Sequence, residues 1–166
     1  MSPIYISQGQ HAVGRDTEMV VSTILGSCIS ICLWDPVARV GGMNHLLLPN
    51  AKQDNESLTA GALDMEILIN KMMPLGAERP RLRAKLFGGS SMLNGRTDIG
   101  MRNAEFGRHY LANEGIPCDA EDVGGTKARR LKYWPATGVA KTRLVEEAAP
   151  EPKTVPRIEG HGVELF

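Results

Sequence analysis

Short apolar runs separated by turn signals fill the first fifty residues, and they constrain the fold more than any other feature of the sequence. Gly26-Ser27, Asp35-Pro36 and Pro49-Asn50 act as the turn signals, because Gly permits tight bends and the residue before Pro leaves the helical region. The strand-like runs between them are Ile4–Ser7, Glu18–Ile24, Cys28–Trp34 and Val40–Leu48. The first third of the chain is therefore predicted to form strands joined by turns.

Two helices are predicted further along the chain. Leu58–Met73 carries a broad apolar stripe at helical spacing and is stopped by Pro74. Met101–Asn113 forms the second helix, with Gly115 just beyond its end. Additional strands are predicted at Leu82–Phe87, Ile116–Val123, Ala128–Trp134 and Val139–Leu144. Strands dominate over helices, which indicates a mixed α+β domain.

The composition of the chain changes after Val145. The last residues are rich in Glu, Ala, Pro and Lys, and they include Pro150, Pro152 and Pro156. Such a composition buries little apolar surface and favours disorder. We therefore predict one domain over residues 1–145 and a flexible C-terminal tail over residues 146–166.

Charge, hydropathy and cysteine content exclude several classes of function. Lys+Arg and Asp+Glu both number 19, so no global field favours nucleic acid or an anionic membrane. The apolar runs are too short to span a bilayer, and the N-terminus lacks the features of a signal peptide. An odd count of 3 Cys is unlike a disulfide framework. We expect a cytoplasmic protein with free thiols.

Cys28 and His45 are the residues most able to carry chemistry. Cys28 follows the Gly26-Ser27 bend and opens a strand, where a thiol can reach a cleft, but it needs a base to activate it. His45 lies in the next strand, at a similar distance from the intervening turn. Consecutive strands usually pair, which would place the two side chains nearly opposite each other, with Cβ atoms roughly 5 Å apart. Either residue taken alone is more often a packed core residue than a catalyst.

A third group is needed to orient an imidazole that acts as a base. Ser22 and Thr23 both lie upstream of Cys28 and both carry a hydroxyl that can accept a hydrogen bond from a ring N–H. The residues alone leave the choice between them open.

The other cysteines and a metal site have simpler interpretations. Cys32 and Cys118 have apolar neighbours and are predicted to be core residues. Cys28 and Cys32 would lie about 13 Å apart along one strand, too far for two ligands of one zinc. We expect neither a metal nor a cofactor.

Two further segments resemble binding motifs only superficially. The loop Gly88-Gly89-Ser90-Ser91 lacks the Lys and the glycine spacing of a phosphate-binding loop. A basic cluster is interleaved with apolar residues and is predicted to be the solvated face of a strand, with a possible role in docking an acidic partner: Lys127, Arg129, Arg130 and Lys132.

An ordered set of motifs resembles the CheD family of chemoreceptor glutamine deamidases. The motifs are Ser22–Cys28, Trp34–Pro36, Gly41–His45, Leu48-Pro49, Phe87–Met92, Ile99–Asn103, Gly115-Ile116 and Asp122–Gly125, with Arg130 and Thr137-Gly138. The resemblance covers about residues 8–145. It implies packed mixed β-sheets flanked by helices, as in the cysteine hydrolases related to the cytotoxic necrotizing toxins.

The resemblance also implies the members of the site. The family's cysteine and histidine fall on Cys28 and His45. Its third catalytic residue is usually a Thr six positions before the cysteine, which here is Ser22, with Thr23 beside it. Alternation along a strand favours Ser22, because an even spacing keeps it on the face of Cys28; Thr23 is the alternative.

The implied activity is hydrolysis of glutamine side chains to glutamate, with ammonia release, through a thioester on Cys28. The implied substrate is the cytoplasmic part of chemotaxis receptors, where the new Glu can be methylated, and a CheC-type phosphatase is an implied partner. Another thiol acyl chemistry, such as a protease or a transglutaminase, is a rival. The second rival interpretation is a non-catalytic chemotaxis adaptor that binds receptors or the phosphatase.

Overall fold

Two five-stranded sheets pack face to face, and two helices cover the outer face of one of them. The computed structural model describes residues 2–49, 55–92, 98–145 and 163–166. The helices of the described part are α1 (Asn55–Met72) and α2 (Asp98–Asn113). Its strands are β1 (Ile4–Tyr5), β2 (His11–Gly14), β3 (Val21–Leu25), β4 (Ile29–Asp35), β5 (Val40–Asn44), β6 (Arg83–Gly88), β7 (Cys118–Val123), β8 (Arg129–Trp134), β9 (Val139–Leu144) and β10 (Val163–Leu165).

Both sheets are mixed. The first sheet has the order β1-β3-β8-β9-β10, and the second has the order β2-β5-β4-β6-β7. The pairs β1/β3 and β6/β7 are parallel, whereas the remaining neighbours are antiparallel. The prediction of an α+β fold with packed mixed sheets flanked by helices is confirmed.

The central strand of the second sheet, β4, is buried on both faces. Ile29, Ile31 and Leu33 point to the helices and join the apolar cluster formed with α1 and α2. Ser30 and Cys32 point the other way, because successive side chains of a strand alternate between faces. This double burial explains why the sequence of β4 is an unbroken run rather than an alternating one.

The layer between the two sheets is a second apolar cluster. Its fully buried members include Leu25 and Tyr133 from the first sheet and Phe87 from the second. The Tyr133 hydroxyl donates to the Leu33 carbonyl oxygen at 2.7 Å, so the polar end of the ring is satisfied where it is buried. This bond joins β8 of one sheet to β4 of the other.

The predicted elements lie within a few residues of the observed ones, but two strands were not predicted. β2 pairs with β5, and β10 pairs with β9 as an edge strand. The predicted tail is therefore wrong for its last four residues: Phe166 exchanges backbone hydrogen bonds with Ala140, and its ring packs against Phe87. Residues 146–162 lie outside the described part of the structure.

No helix in the described ranges is both long enough and apolar enough to cross a membrane.

Candidate active site

Cys28 lies where the chain passes from the first sheet to the second. β3 ends at Leu25, a bend over Gly26 and Ser27 follows, and β4 begins at Ile29. The Cys28 thiol is partly buried and packs against the apolar layer between the sheets. Cys28 is therefore packed against the core but is not fully covered.

The end of β6 fixes the backbone at Cys28. A Cβ placed on Gly88 would lie 2.2 Å from the Cys28 carbonyl oxygen, so only glycine allows this approach, and Gly88 has a φ of 107°. The Gly89 N–H donates to that same oxygen at 2.8 Å. The glycine loop that resembled a phosphate cradle instead holds the segment that carries Cys28.

His45 directly follows β5 and is only 8 % exposed. Its backbone N–H donates to Gln10 at 3.1 Å, and its carbonyl accepts from Gly9 at 2.9 Å. The next residue, Leu46, exchanges two hydrogen bonds with Ile29, at 2.9 and 2.7 Å. The histidine is thus anchored on both sides, to the segment before β2 and to the start of β4.

The register of β4 and β5 places Cys28 and His45 on the same face. The pairs Cys32–Met43 and Ile29–Leu46 share one register, so His45 stands directly opposite Ser30. Cys28 is then the diagonal neighbour of His45, and not its direct partner as we predicted. Diagonal neighbours in an antiparallel pair have Cα atoms roughly 7–8 Å apart and remain within reach of long side chains.

Thr23 supplies the hydroxyl that contacts the imidazole. Its Oγ1 lies 2.7 Å from His45 Nδ1 and 2.6 Å from the carbonyl oxygen of Ile6. The carbonyl can only accept, so the single hydroxyl proton of Thr23 goes to Ile6, and Nδ1 must carry the proton that Thr23 accepts. This network assigns the Nδ1–H tautomer and leaves Nε2 of His45 with a free lone pair.

The expectation that Ser22 faces Cys28 is wrong. Ser22 lies on the opposite face of β3, where Arg130 Nη1 donates to its hydroxyl at 3.4 Å. The count by alternation fails because the chain leaves the first sheet at Gly26, so Ser22 and Cys28 do not belong to one strand. Thr23 points into the layer between the sheets, as its neighbours Val21 and Leu25 do.

Burial favours the neutral forms of the Cys28 thiol and the His45 imidazole. Desolvation raises the pKa of the Cys28 thiol to about 11 and lowers the pKa of His45 to about 4. No hydrogen bond joins the two side chains within the described residues. Catalytic hydrogen bonds are often long in the absence of substrate, so this spacing does not exclude proton transfer between them.

Asn103 is a polar contributor that the sequence did not single out as part of the site. It is fully buried in α2, its Nδ2 donates to the Ser27 carbonyl oxygen at 2.8 Å, and its Oδ1 accepts from the Leu48 N–H at 3.1 Å. The signal available in the sequence was an amide on a helix face that also carries Phe106 and Tyr110. Such an Asn must find hydrogen-bond partners when it is buried.

The two other cysteines differ from each other. Cys32 is 1 % exposed, in agreement with its predicted place in the core. Cys118 is exposed on the edge strand β7, so its predicted core position is wrong. Apolar neighbours in the sequence do not ensure burial here, because some side chains of an edge strand are not covered by other elements.

The predicted solvated basic face is also wrong in part. Arg129 is 3 % exposed, forms an ion pair with Asp122 at 3.0 Å and donates to Ser90 at 3.0 Å. Arg130 is 6 % exposed. Arg129 therefore braces the loop after β6 and is not available to a partner.

A partly exposed thiol and a neutral imidazole on one face, with a hydroxyl fixing the ring tautomer, form the set of groups that cysteine-dependent hydrolases use. Comparisons with known proteins identify the family of the chain. The family described as "CheD chemotactic sensory transduction" matches residues 47–144, a range that begins just after His45.

Relatives at 40–49 % identity extend the match over nearly the whole chain. A protein of Caulobacter vibrioides is 40 % identical, over 98 % of this chain and 92 % of its own length. A protein of Zymomonas mobilis is 49 % identical, over 89 % of this chain and 82 % of its own length. Both carry the name "Probable chemoreceptor glutamine deamidase CheD". The chain belongs to the CheD family.

Two solved structures show a weaker likeness. The hypothetical protein YfiH of Bacillus licheniformis aligns with a TM-score of 0.44 and 15 % identity, over 67 % of this chain. A DUF152 protein of Neisseria meningitidis aligns with a TM-score of 0.43 and 12 % identity, over 69 % of this chain. This chain spans about half the length of each, 49 % and 51 %.

Proposed function

We propose that this protein hydrolyses the side-chain carboxamide of glutamine residues in chemotaxis receptors, with Cys28 as nucleophile, His45 as base and Thr23 as the group that orients His45. The hydrogen bond from His45 Nδ1 to Thr23 is the observation that carries the assignment of roles, because it leaves Nε2 free to take a proton. The names of the relatives supply the substrate: they are chemoreceptor glutamine deamidases.

The first half of the reaction releases ammonia. Substrate binding excludes water and brings the thiol to Nε2 of His45, which takes the thiol proton as the Cys28 sulfur attacks the amide carbon. Backbone N–H groups near Cys28 stabilise the oxyanion of the tetrahedral intermediate. The protonated His45 then donates its proton to the departing nitrogen, the C–N bond breaks, and a thioester on Cys28 remains.

The second half regenerates the enzyme. His45 takes a proton from water as the water oxygen attacks the thioester carbon. The C–S bond breaks, the Cys28 sulfur recovers a proton from His45, and the product is glutamate. Thr23 keeps the Nδ1 proton in place throughout, so Nε2 exchanges protons in both halves.

The substrate places the reaction in the cytoplasm, on the cytoplasmic part of the receptor, where the new glutamate becomes available for methylation. We place the activity within residues 1–145, the predicted domain. A CheC-type phosphatase is retained as a proposed partner.

Mass spectrometry of a receptor fragment tests the proposal. Wild-type protein is incubated with the cytoplasmic fragment of a chemoreceptor of the same organism, and tryptic peptides are searched for Gln-to-Glu conversion while free ammonia is measured. We expect conversion with wild type, and none with Cys28→Ala. Cys118→Ala, which removes an exposed thiol far along the chain, is the matched control and retains activity.

Other outcomes would identify the rival functions. Peptide-bond cleavage without ammonia would indicate a protease, and cross-linked products would indicate a transglutaminase. Tight binding of the fragment with no chemical change by wild type would indicate an adaptor. Conversion by Cys28→Ala at the wild-type rate would refute the nucleophile.

A further inference from the structure

Three consecutive carbonyl groups around the nucleophile are fixed by hydrogen bonds from outside the bend. The Gly26 oxygen accepts from the Ser90 N–H at 2.9 Å, and the Cys28 oxygen accepts from the Gly89 N–H at 2.8 Å. The Ser27 oxygen between them accepts from Asn103 Nδ2 at 2.8 Å. Of these three bonds, the bond to Ser27 is donated by a side chain, that of Asn103 on α2, and the other two are donated by backbone amides.

Asn103 joins the two segments that carry the reactive residues. Its Nδ2 donates to Ser27, the residue before Cys28, and its Oδ1 accepts from Leu48, three residues after His45. The side chain is 0 % exposed, so both bonds form away from water and each is costly to leave unmade. An amide is needed here, because the site requires a donor on one side and an acceptor on the other.

The bond from Asn103 also determines the direction of the Cys28 N–H. The described part of the chain has no cis peptide bond, so the Ser27 carbonyl and the Cys28 N–H point in opposite directions. The carbonyl points to α2, on the helix side of the second sheet. The N–H therefore points away from Asn103 and α2.

Two backbone amides at this bend are unpaired within the described part of the structure. Neither the Ser27 N–H nor the Cys28 N–H donates to an acceptor among the described residues. An N–H at the nucleophile that is fixed in direction and unpaired is the arrangement that binds an oxyanion, since the donor is oriented before charge develops.

We infer that Asn103 is a positioning residue that aims the Cys28 N–H at the oxyanion of the tetrahedral intermediate. This inference rests on the proposed function. Asn103 acts through the Ser27–Cys28 peptide and does not touch the substrate itself. The main effect of losing it falls on transition-state stabilisation, not on the reactivity of the thiol.

The variant Asn103→Asp tests this role. Aspartate keeps the acceptor for Leu48 and replaces the donor to Ser27 with a second acceptor, so the Ser27–Cys28 peptide is no longer held. We expect kcat for ammonia release from the receptor fragment to fall roughly 100-fold with KM changed less than about threefold, as for the loss of an oxyanion-hole donor. Asn113→Asp, an exposed change of the same charge on the same helix, is the control and should leave kcat unchanged.

Alkylation of Cys28 by iodoacetamide separates the inferred role from a merely structural one. This displacement occurs at a saturated carbon and forms no oxyanion, so the alkylation rate of Asn103→Asp should stay within about threefold of wild type. An alkylation rate that falls in parallel with kcat would overturn the inference. A folded variant with wild-type kcat would overturn it too.

Two further measurements cover the case in which aspartate prevents folding. Asn103→Ser removes the amide without adding charge and carries the same expectation. In the wild-type protein, a peptide with glutamate semialdehyde in place of glutamine forms a hemithioacetal with Cys28, and the amide proton of Cys28 should then shift downfield in the NMR spectrum. An unchanged chemical shift of the Cys28 amide proton would overturn the inference. The proposed function would instead be refuted if Cys28 of the wild-type protein is alkylated but the protein never releases ammonia from the receptor fragment.

Discussion

At the scale of single residues, the hydroxyl of Thr23 determines which nitrogen of His45 can act. It donates to the Ile6 carbonyl and accepts from Nδ1, so one side chain fixes both the orientation and the tautomer of the ring. Thr23 belongs to β3 of the first sheet, whereas His45 directly follows β5 of the second. The imidazole of His45 is therefore fixed by a contact across the layer between the sheets.

Replacing Thr23 by Val tests this contact. Valine keeps the shape of the side chain and leaves the buried Nδ1–H unpaired, which costs about 1–3 kcal/mol, or a loss of kcat of roughly 5- to 150-fold. Thr23→Ser should recover most of the activity because it restores the hydroxyl. Ser22→Ala is the matched control, and we expect it to stay near wild type; the reverse ranking of the Ser22 and Thr23 variants would contradict the assignment. Initial rates of ammonia release provide the measurement.

The pH dependence of Cys28 alkylation tests the neutral state of the pair. His45 has a pKa lowered to about 4, so it becomes available as a base when the pH rises through that value, and the alkylation rate should rise there and then level off. A second rise is expected near pH 11, where the thiol ionises without help because burial has raised its pKa. His45→Ala should lose the first rise and keep the second.

A different profile would exclude this picture. The alkylation rate of the wild-type protein could instead rise once, with its midpoint near pH 8.5, the usual pKa of a free thiol. Such a profile would show that Cys28 reacts without the assistance of His45.

At the scale of secondary structure, the change of sheet at Gly26 explains both what the sequence predicts and what it does not. Strand and helix positions follow from local patterns, and β4 and β6 begin and end within about two residues of the predicted runs, as such patterns allow. The assignment of strands to sheets depends on contacts between distant residues. Side chains do alternate between faces within each strand, but the count from Ser22 to Cys28 crosses from one sheet to the other. It therefore favoured Ser22, whereas the structure places Thr23 beside His45.

The two missed strands illustrate the same limit. β2, with the sequence His-Ala-Val-Gly, is short and lacks a strong apolar run, and it forms because β5 offers a partner. β10 follows a Pro-rich composition and was assigned to a tail. Its backbone pairing with β9 and the contact of Phe166 with Phe87 are long-range features that no local window contains.

Substitution of Phe166 tests whether β10 belongs to the folded domain. Its ring centroid lies 5.5 Å from that of Phe87 in an edge-on arrangement. Phe166→Ala should lower the free energy of unfolding by about 1–3 kcal/mol, from lost apolar burial and the lost aromatic contact. Leu165→Ala is the control, because Leu165 is 67 % exposed and its loss should change stability by less than about 0.5 kcal/mol. Urea denaturation followed by circular dichroism measures both, and equal stabilities would show that β10 contributes nothing.

At the scale of the whole molecule, the site lies at the border of the layer between the two sheets. Cys28 and His45 stand out in the sequence because Cys28 opens one strand-like run, His45 lies within the next, and both fall on motifs that resemble the CheD family. Asn103 was not predictable as part of the site, since its partners lie 76 and 55 positions away in the chain. Only the packing of α2 on the second sheet brings its amide to Ser27, the residue before Cys28.

The bond between the Tyr133 hydroxyl and the Leu33 carbonyl has a consequence for how such a chain can change during evolution. It belongs to the same inter-sheet layer that sets the separation of Thr23 from His45. A substitution in that layer that preserves stability but alters the spacing of the sheets would still be removed by selection for activity. The core between the sheets should therefore tolerate fewer replacements than its contribution to stability alone would allow.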